Sequence, residues 1–226
     1  DDSTVELTSR VAAALGLPHN PLEAARVSRR KDLGRRCLQE AGLPVPQFLN
    51  VDLSFDLSTQ VDAVSFPCVV KPLSLSGSRG VIRANNQQEL VQAIGRLQDI
   101  LLNLEAAQEN RYILVEDYIP GMEVAVEGLL QDGVLEVLAI FDKPDVLSGP
   151  FFEETYYVTP SRHSRSLQKQ IRKTIALACR AYGLREGPIH AEARLCDDKV
   201  WVLEIAARTI GGDCARLLQF GTGYGL

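Results

Sequence analysis

The sequence predicts an α+β protein, because helical segments and antiparallel hairpins alternate irregularly along the chain. A long helix is expected at 87–107, where leucine and isoleucine recur at helical spacing, and another at 167–182 before Gly183. Three short strands are expected, at 112–116, 123–130 and 134–141. The Asp132-Gly133 pair predicts a tight hairpin turn between the last two of these strands.

The remaining segments predict further helices and one buried strand. Ser28 is the predicted N-cap of a helix that runs to Glu40. Residues 43–65 are mixed, with prolines that favour extended backbone, and a short buried strand is expected at 68–70. A last helix is expected to begin at Asp213.

Composition and charge exclude several classes of function. The chain of 226 residues has a formal net charge of −5, which gives no electrostatic case for binding nucleic acid or an anionic membrane surface. No apolar run approaches the roughly 20 residues of a spanning helix, and the N-terminus has no secretory signal character, so a cytoplasmic location is expected. The cysteines have no metal-ligand spacing and are expected to be free thiols: Cys37, Cys68, Cys179, Cys196 and Cys214.

The segment from His190 to Gly212 reads as two short strands with a carboxylate inside each. Glu192 and Glu204 interrupt otherwise apolar strands, and burial of an unpaired carboxylate is costly. Arg208 follows the second strand. Two carboxylates beside an arginine suit a polyphosphate bound with magnesium.

The turn of this hairpin decides whether the two acids meet. Opposed residues of an antiparallel pair share a face of the sheet, so Glu192 and Glu204 are opposite only if the loop has an odd number of residues. A loop of two residues would place Glu192 beside Leu203. We expect the three-residue loop 197–199.

A glycine-rich loop after the strand at 68–70 is a candidate phosphate site. Lys71 ends the strand, and a loop of small residues can wrap its backbone N–H groups around phosphate. The spacing is neither that of a Walker A loop nor GxGxxG, and a simple turn is the alternative. The candidate residues of the loop are Ser76, Gly77, Ser78 and Gly80.

The strand at 112–116 ends in a candidate adenine hinge. Backbone groups at Glu116 and Asp117 are placed to hydrogen-bond an adenine edge, and Tyr118 and Ile119 to cover its face. Glu123, just past the Pro-Gly turn, is a candidate acceptor for both ribose hydroxyls. The alternative is a hairpin whose acids are solvated.

Three further residues are candidates that depend on context. Lys31 lies in a basic cluster on a predicted helix, and such faces are usually solvated. Lys143 begins a loop rich in proline, glycine and aromatic residues, from which it could reach a transferring phosphate. His190 faces the same way as Glu192 and either orients a ligand or is a structural histidine.

Taken in order, these motifs resemble the ATP-grasp family, whose fold clamps ATP between two α+β subdomains. The resemblance runs from about residue 28 to the C-terminus and implies a first subdomain at 28–118, with the phosphate-covering loop, and a second at 119–226, with the magnesium site. Residues 1–27 resemble only the tail and linker of the family's N-terminal α/β domain. We therefore expect that domain to be largely absent and the C-terminus to be truncated.

The resemblance assigns roles to the candidate residues. It implies that Lys31 and Lys71 contact the phosphates of ATP, and that the loop 76–80 covers them. It implies an adenine hinge at Glu116, Asp117 and Ile119, and a ribose acid at Glu123. It implies that Glu192 and Glu204 bind Mg²⁺, with Mn²⁺ as an alternative ion, and that Arg208 faces the phosphate as a catalytic residue together with Lys143.

One departure from the family pattern narrows the branch. Many members have an asparagine two residues after the second acid, as a further metal ligand, and here that position is Ala206. The run E-I-A-A-R-T-I-G-G and the segment 142–161 are similar to L-amino-acid ligases and carnosine-synthase-like enzymes, which also lack the asparagine.

The resemblance implies an ATP-dependent carboxylate–amine ligase. Such an enzyme phosphorylates a small carboxylate substrate to an acyl phosphate, releases ADP, and lets an amine displace the phosphate. Arg208 would neutralise phosphate charge or, as the alternative, hold the substrate carboxylate. Two other functions stay open: an ATP-binding module or inactive fragment without catalysis, and an ATP-grasp enzyme that activates another carboxylate such as bicarbonate. A homodimer is among the oligomeric states open to the chain.

Overall fold

The chain forms two antiparallel sheets with helices on their faces, as seen in a computed structural model. The structure describes residues 2–57, 59–104, 108–146, 148–153, 155–214, 216, 217, 219 and 223. The described α-helices are α1 (Val5–Ala14), α2 (Leu22–Arg29), α3 (Lys31–Glu40), α4 (Gln87–Leu102) and α5 (Arg165–Tyr182). The described strands are β1 (Phe48–Asp52), β2 (Cys68–Pro72), β3 (Ile82–Ala84), β4 (Tyr112–Asp117), β5 (Met122–Gln131), β6 (Val134–Lys143), β7 (Gly187–Cys196) and β8 (Lys199–Ala206). The predicted α+β class is confirmed.

The first sheet has the strand order β1-β4-β2-β3 and is covered by α4. Leu90, Ile94 and Leu97 of α4 are fully buried against strands β2 to β4, as their helical spacing predicts. The helix ends at Leu102, earlier than expected, and residues 105–107 lie outside the described part. Strand β1 was not predicted, because the mixed stretch at 43–65 shows no clear alternation.

The second sheet has the order β6-β5-β7-β8 and is covered by α5 together with α2 and α3. Val27 and Leu38 belong to the same buried cluster as Ile171 and Ile175 of α5. The expected division after residue 118 separates the strands of the two sheets. Helix α3, which the expected first subdomain includes, packs against the second sheet.

The predicted single helix from Ser28 to Glu40 is wrong. Arg30 has an extended backbone (φ −107°, ψ 105°) that separates α2 from α3, and the Ser28 hydroxyl donates to the Ala25 carbonyl instead of capping. The break places Lys31 at the first position of α3, where its N–H donates to the Leu73 carbonyl (3.0 Å). The last predicted helix, from Asp213, falls partly outside the described residues.

The hairpin of β7 and β8 has a two-residue turn, so the predicted three-residue loop is wrong. Cys196 pairs with Lys199, and Asp197 and Asp198 both have positive φ (51° and 55°). This is the backbone of a type I′ turn, which matches the twist of the flanking strands.

A β-bulge nevertheless brings the two acids into register. Ala193 pairs with Val202 and Glu192 pairs with Glu204, so Leu203 is an extra residue on β8. Because side chains alternate along a strand, one inserted residue moves Glu204 onto the face of Glu192. The acids are opposed as expected, but the bulge is the cause.

The turn gives a first testable prediction. Asp198→Gly should raise the free energy of unfolding by about 0.5 kcal/mol, because glycine adopts positive φ at the second turn position without strain. Urea denaturation measures the change. Gly133→Ala, at the equivalent position of the β5–β6 turn (φ 80°, with nothing within 4 Å of an added Cβ), is the converse control and should destabilise. An unfolding midpoint that does not rise in Asp198→Gly would contradict the prediction.

No described helix is long and apolar enough to cross a membrane.

Candidate functional site

A cavity of about 780 Å³ lies between the two sheets. Apart from Gly80 and Lys143, every residue predicted for the site lines it. The lining comes from β2 and β4 of the first sheet and from β5, β7 and β8 of the second. The fold therefore brings together candidates that are up to about 180 positions apart in the sequence.

Glu192 and Glu204, which both line this cavity, each contact a lysine. Lys143 Nζ donates to Glu192 Oε1 (2.7 Å), and Lys31 Nζ lies 3.0 Å from Glu204 Oε2. Burial raises the pKa of Glu192, but Lys143 and His190 outweigh it and hold the pKa well below its usual range. Each of the two carboxylates thus lies against an ammonium group of the chain.

This donor set fits a magnesium ion that protein and substrate hold together. The described residues contain no cluster of three or more His, Cys, Asp or Glu side chains that could hold a metal ion alone. Two carboxylates on one sheet face suit Mg²⁺ because that ion usually keeps waters and takes phosphate oxygens as further ligands. Ala206, where the resemblance would place an asparagine as a further metal ligand, pairs with His190 across the strands.

A row of alternating charges crosses the same face of the second sheet. Glu123 on β5 is flanked by Lys143 on β6 and Arg194 on β7, its register partners. Lys143 Nζ donates to Glu123 Oε1 (2.7 Å) and Arg194 Nε to Oε2 (3.0 Å). Both oxygens of the expected ribose acid are therefore engaged by cations of the chain.

Lys143 lies beneath the cavity, bridging Glu123 and Glu192. Its ammonium group offsets the repulsion between these two carboxylates. Its predicted contact with a transferring phosphate stays a prediction. Arg194 was missed from the sequence. The alternation that places His190 and Glu192 on one face also places Arg194 there, so the signal was present.

His190 is held between two carboxylates. Its Nδ1–H donates to Glu127, and its Nε2 lies 3.6 Å from Glu192 Oε1. Burial lowers the pKa of His190, but Glu127 and Glu192 raise it to about 10. Glu127, also missed, accepts the Ile210 N–H (3.0 Å) and so ties the loop after β8 to the sheet.

A buried ion cluster joins β4, the strand of the predicted hinge, to Lys71. Arg35 makes two parallel hydrogen bonds to Glu116 (2.7 and 3.0 Å), and Lys71 Nζ contacts Glu116 Oε1. Burial raises the pKa of Glu116, but Arg35 and Lys71 lower it to about 2. Burial likewise lowers the pKa of Lys71, against the opposing effect of Glu116. The Glu116 side chain thus serves this cluster, while its backbone lies in register with Phe48 of β1 and Val69 of β2.

The predicted hinge has little unused backbone. The N–H of Asp117 donates to the Gln47 carbonyl and that of Tyr118 to the Pro67 carbonyl (both 3.0 Å). Ile119 is the first hinge residue whose N–H has no backbone acceptor among the described residues. Its side chain lines the cavity, where Phe152 stacks on Tyr118 with ring centroids 6.3 Å apart. Ile119, Tyr118 and Phe152 thus form an apolar slot beside the Ile119 N–H, a backbone donor.

The small-residue loop lines the cavity opposite the acids. Gly77 and Ser78 have successive positive φ (63° and 53°), and the Val81 N–H closes the turn on the Ser78 carbonyl (3.0 Å). Gly80 has a positive φ (77°), which favours glycine, and a Cβ there would lie 2.7 Å from Leu97 Cδ1. Gly80 therefore has a packing role in this structure.

Arg208 lines the cavity beside Gly211 and Gly212. Its guanidinium makes two parallel hydrogen bonds to Asp2 (both 2.9 Å), and a third to the Thr209 carbonyl. Burial lowers the pKa of Arg208, but Asp2 outweighs it and the pKa is raised, so the arginine keeps its positive charge.

Comparison with known proteins places this site in a family. Residues 64–216, more than half of the chain, match the model of the ATP-grasp domain. The chain therefore belongs to the ATP-grasp family. As the sequence predicted, amino-acid ligases are among the relatives that the chain matches.

Three of the proteins that the chain resembles are ligases. Alanine–anticapsin ligase of Bacillus subtilis (strain 168) is 23% identical over 90% of this chain and 46% of its own length. D-alanine–D-alanine ligase of Gloeobacter violaceus is 29% identical over 91% of this chain and 72% of its own length. The crystal structure of L-amino acid ligase from Bacillus licheniformis matches with a TM-score of 0.83 and 30% identity, over 100% of this chain and 52% of that one. The chain thus spans about half the length of several relatives that it matches.

Proposed function

We propose that this chain is the ATP-binding and metal-binding part of a carboxylate–amine ligase acting on an amino acid or peptide. The observation that carries the proposal is the opposed pair Glu192 and Glu204, which lines a cavity of about 780 Å³ together with Lys31 and Lys71. The ligase activity of relatives that share this fold supports it.

The cavity offers a separate region to each part of ATP. The slot of Ile119 and Phe152 suits adenine, with the Ile119 N–H as a backbone donor. Glu123 is the proposed ribose acid. Lys31 and Lys71 would exchange their carboxylate partners for phosphate oxygens, which are equivalent anions for an ammonium group.

Glu192 and Glu204 would hold Mg²⁺, or Mn²⁺ in its place. When bound, the ion neutralises phosphate charge and orients the triphosphate for in-line transfer. The protein's own work is positioning, since phosphoryl transfer needs little covalent help from side chains.

The proposed reaction has two steps. A carboxylate oxygen of the substrate attacks the γ-phosphorus of ATP, the bond to the β–γ bridging oxygen breaks, and ADP leaves. The amine then attacks the carbonyl carbon of the acyl phosphate, inorganic phosphate leaves, and the amine loses a proton. Lys31, Lys71 and Arg208 offset the negative charge of the transferring group.

The loop 76–80 would cover the phosphates and exclude water, which protects an acyl phosphate from hydrolysis. Gly211 and Gly212 leave the cavity wall open where a substrate can approach the backbone. Arg208 has a second proposed role, as the group that holds the substrate carboxylate.

Lys71→Ala tests the placement of the phosphates. ATP should bind about 10- to 100-fold more weakly, because a charge-assisted hydrogen bond to phosphate is lost. Isothermal titration calorimetry measures the dissociation constant. Lys173→Ala, an exposed lysine on α5, is the control and should bind ATP as the wild type does. An unaltered constant in Lys71→Ala would place the phosphates elsewhere.

ADP release in the presence of ATP, Mg²⁺ and a panel of amino acids and dipeptides tests the reaction itself. Release that requires both a carboxylate and an amine is expected of a ligase. ATP binding without turnover across the panel would support a binding module without catalysis.

A further inference from the structure

Arg35 is a fully buried arginine that connects the two sheets. Its side chain is 1% exposed, and two of its nitrogens bind the Glu116 carboxylate of β4. The third, Nη1, donates to the carbonyls of Val202 (3.0 Å) and Leu203 (2.8 Å) on β8. The Arg35 side chain therefore contacts a side chain of the first sheet and backbone carbonyls of the second.

The two carbonyls belong to the β-bulge. Leu203 is the extra residue of β8, and a bulge disrupts the hydrogen-bond ladder where it occurs. A buried carbonyl without a donor is costly. The planar guanidinium, with donors on two edges, can satisfy both carbonyls while keeping two bonds to the carboxylate.

Helix α3 contacts this bulge at a second point. Lys31 and Arg35 are four residues apart on α3 and so lie on the same helix face. Lys31 Nζ contacts the Glu204 side chain (3.0 Å), while Arg35 contacts the backbone of the residue before it. One turn of α3 thus contacts both the Glu204 side chain and the backbone just before it. Together these determine where Glu204 points.

We propose that Arg35 is a positioning residue for the metal site: by binding the bulge carbonyls it keeps Glu204 opposite Glu192, and by binding Glu116 it fixes this pair relative to Lys71. The inference rests on the proposed function, because it assigns the metal to Glu192 and Glu204. It adds a residue that touches neither metal nor nucleotide.

Arg35→Lys tests the proposal. Lysine keeps the positive charge, but one ammonium cannot bind both oxygens of Glu116 and both carbonyls together. We expect the dissociation constant of Mn²⁺ in the presence of saturating ADP to rise about tenfold or more, since supporting residues of metal sites have effects of this size. Electron paramagnetic resonance of free Mn²⁺ measures this constant directly. ADP affinity without metal should change less than about threefold.

Arg36→Lys is the matched control, because Arg36 is the next residue on α3 and is exposed. Its Mn²⁺ constant should equal that of the wild type. Glu116→Gln provides the discriminating comparison: it leaves Arg35 with its carbonyl contacts and should change the Mn²⁺ constant much less than Arg35→Lys. Equal effects of these two variants would mean that the ion cluster acts only through stability, and would overturn the proposal.

Thermal unfolding shows whether Arg35→Lys is folded. If it is not, the same constant is measured in Arg35→Gln, whose amide can donate to one carbonyl only, and the same tenfold criterion decides. A folded variant with the wild-type Mn²⁺ constant overturns the positioning role alone. A wild-type protein that binds neither ADP nor Mn²⁺–ADP would instead overturn the proposed function.

Discussion

Glu204→Ala is expected to reduce metal-dependent ADP formation by about 100-fold or more, because it removes one of two carboxylates that face each other across β7 and β8. The side chain is 23% exposed and its partner, Lys31, lies at the cavity wall, so the change leaves no deeply buried charge alone. The fold should therefore remain. Initial rates of ADP release at saturating ATP, titrated with Mg²⁺, measure the effect.

Glu136→Ala is the matched control for this variant. Glu136 is an exposed glutamate on β6 of the same sheet, outside the cavity lining, and its loss should leave the rate unchanged. Circular dichroism verifies that both variants are folded. Full activity in a folded Glu204→Ala protein would show that the metal is held elsewhere.

Glu116→Ala is expected to lower the free energy of unfolding by about 3–5 kcal/mol, the cost of breaking a buried ion pair at one partner. Glu116 is 3% exposed, and without it Arg35 keeps its charge in the interior with only carbonyl partners. Urea denaturation measures the change. Asp117→Ala, at the less buried end of the same strand, should cost less than about 1 kcal/mol, as is usual for substitutions near the surface. Similar losses in the two variants would contradict the role given to the cluster.

The same carboxylate predicts a pH dependence of stability. The pKa of Glu116 is about 2 in the folded protein, below the ordinary value of 4.5, because Arg35 and Lys71 outweigh burial. Its contribution is complete above pH 4.5 and is lost as the pH falls toward 2. Glu116→Gln should flatten the stability curve in this window. A wild-type curve that is already flat there would contradict the lowered pKa.

The sequence predicted most elements of the second sheet because their signals are local. The Asp132-Gly133 turn, the glycine that ends α5 and the acids inside apolar strands depend on near neighbours, and each was placed correctly. The Asp197-Asp198 turn was missed because two aspartates carry no glycine signal for positive φ. The bulge at Leu203 has no sequence signature at all.

Long-range contacts explain what else escaped prediction. In the run SRRKDLGRR the arginines look alike, and only the packing of α3 against β8 makes Arg35 the buried one. The contacts of Lys143 with Glu123 and Glu192 were not predicted, and its predicted contact with a transferring phosphate stays a prediction. Glu127 and Arg194 could have been found by applying strand alternation along the whole of β5 and β7.

The packing of α2 and α3 against the second sheet has a consequence for how the chain is assembled. The second sheet takes two of its covering helices from residues 22–40 and its strands from 122–206, so the first sheet is an insertion within a discontinuous unit. The chain leaves this discontinuous unit near Gln47 and returns to it near Asp117. These two points are adjacent, since the Asp117 N–H donates to the Gln47 carbonyl. A short linker could therefore replace the inserted first sheet and leave the interior of the discontinuous unit complete. A piece that begins at residue 119 would instead lack part of its own interior, which makes the continuous segment the poorer choice for expressing half of this molecule.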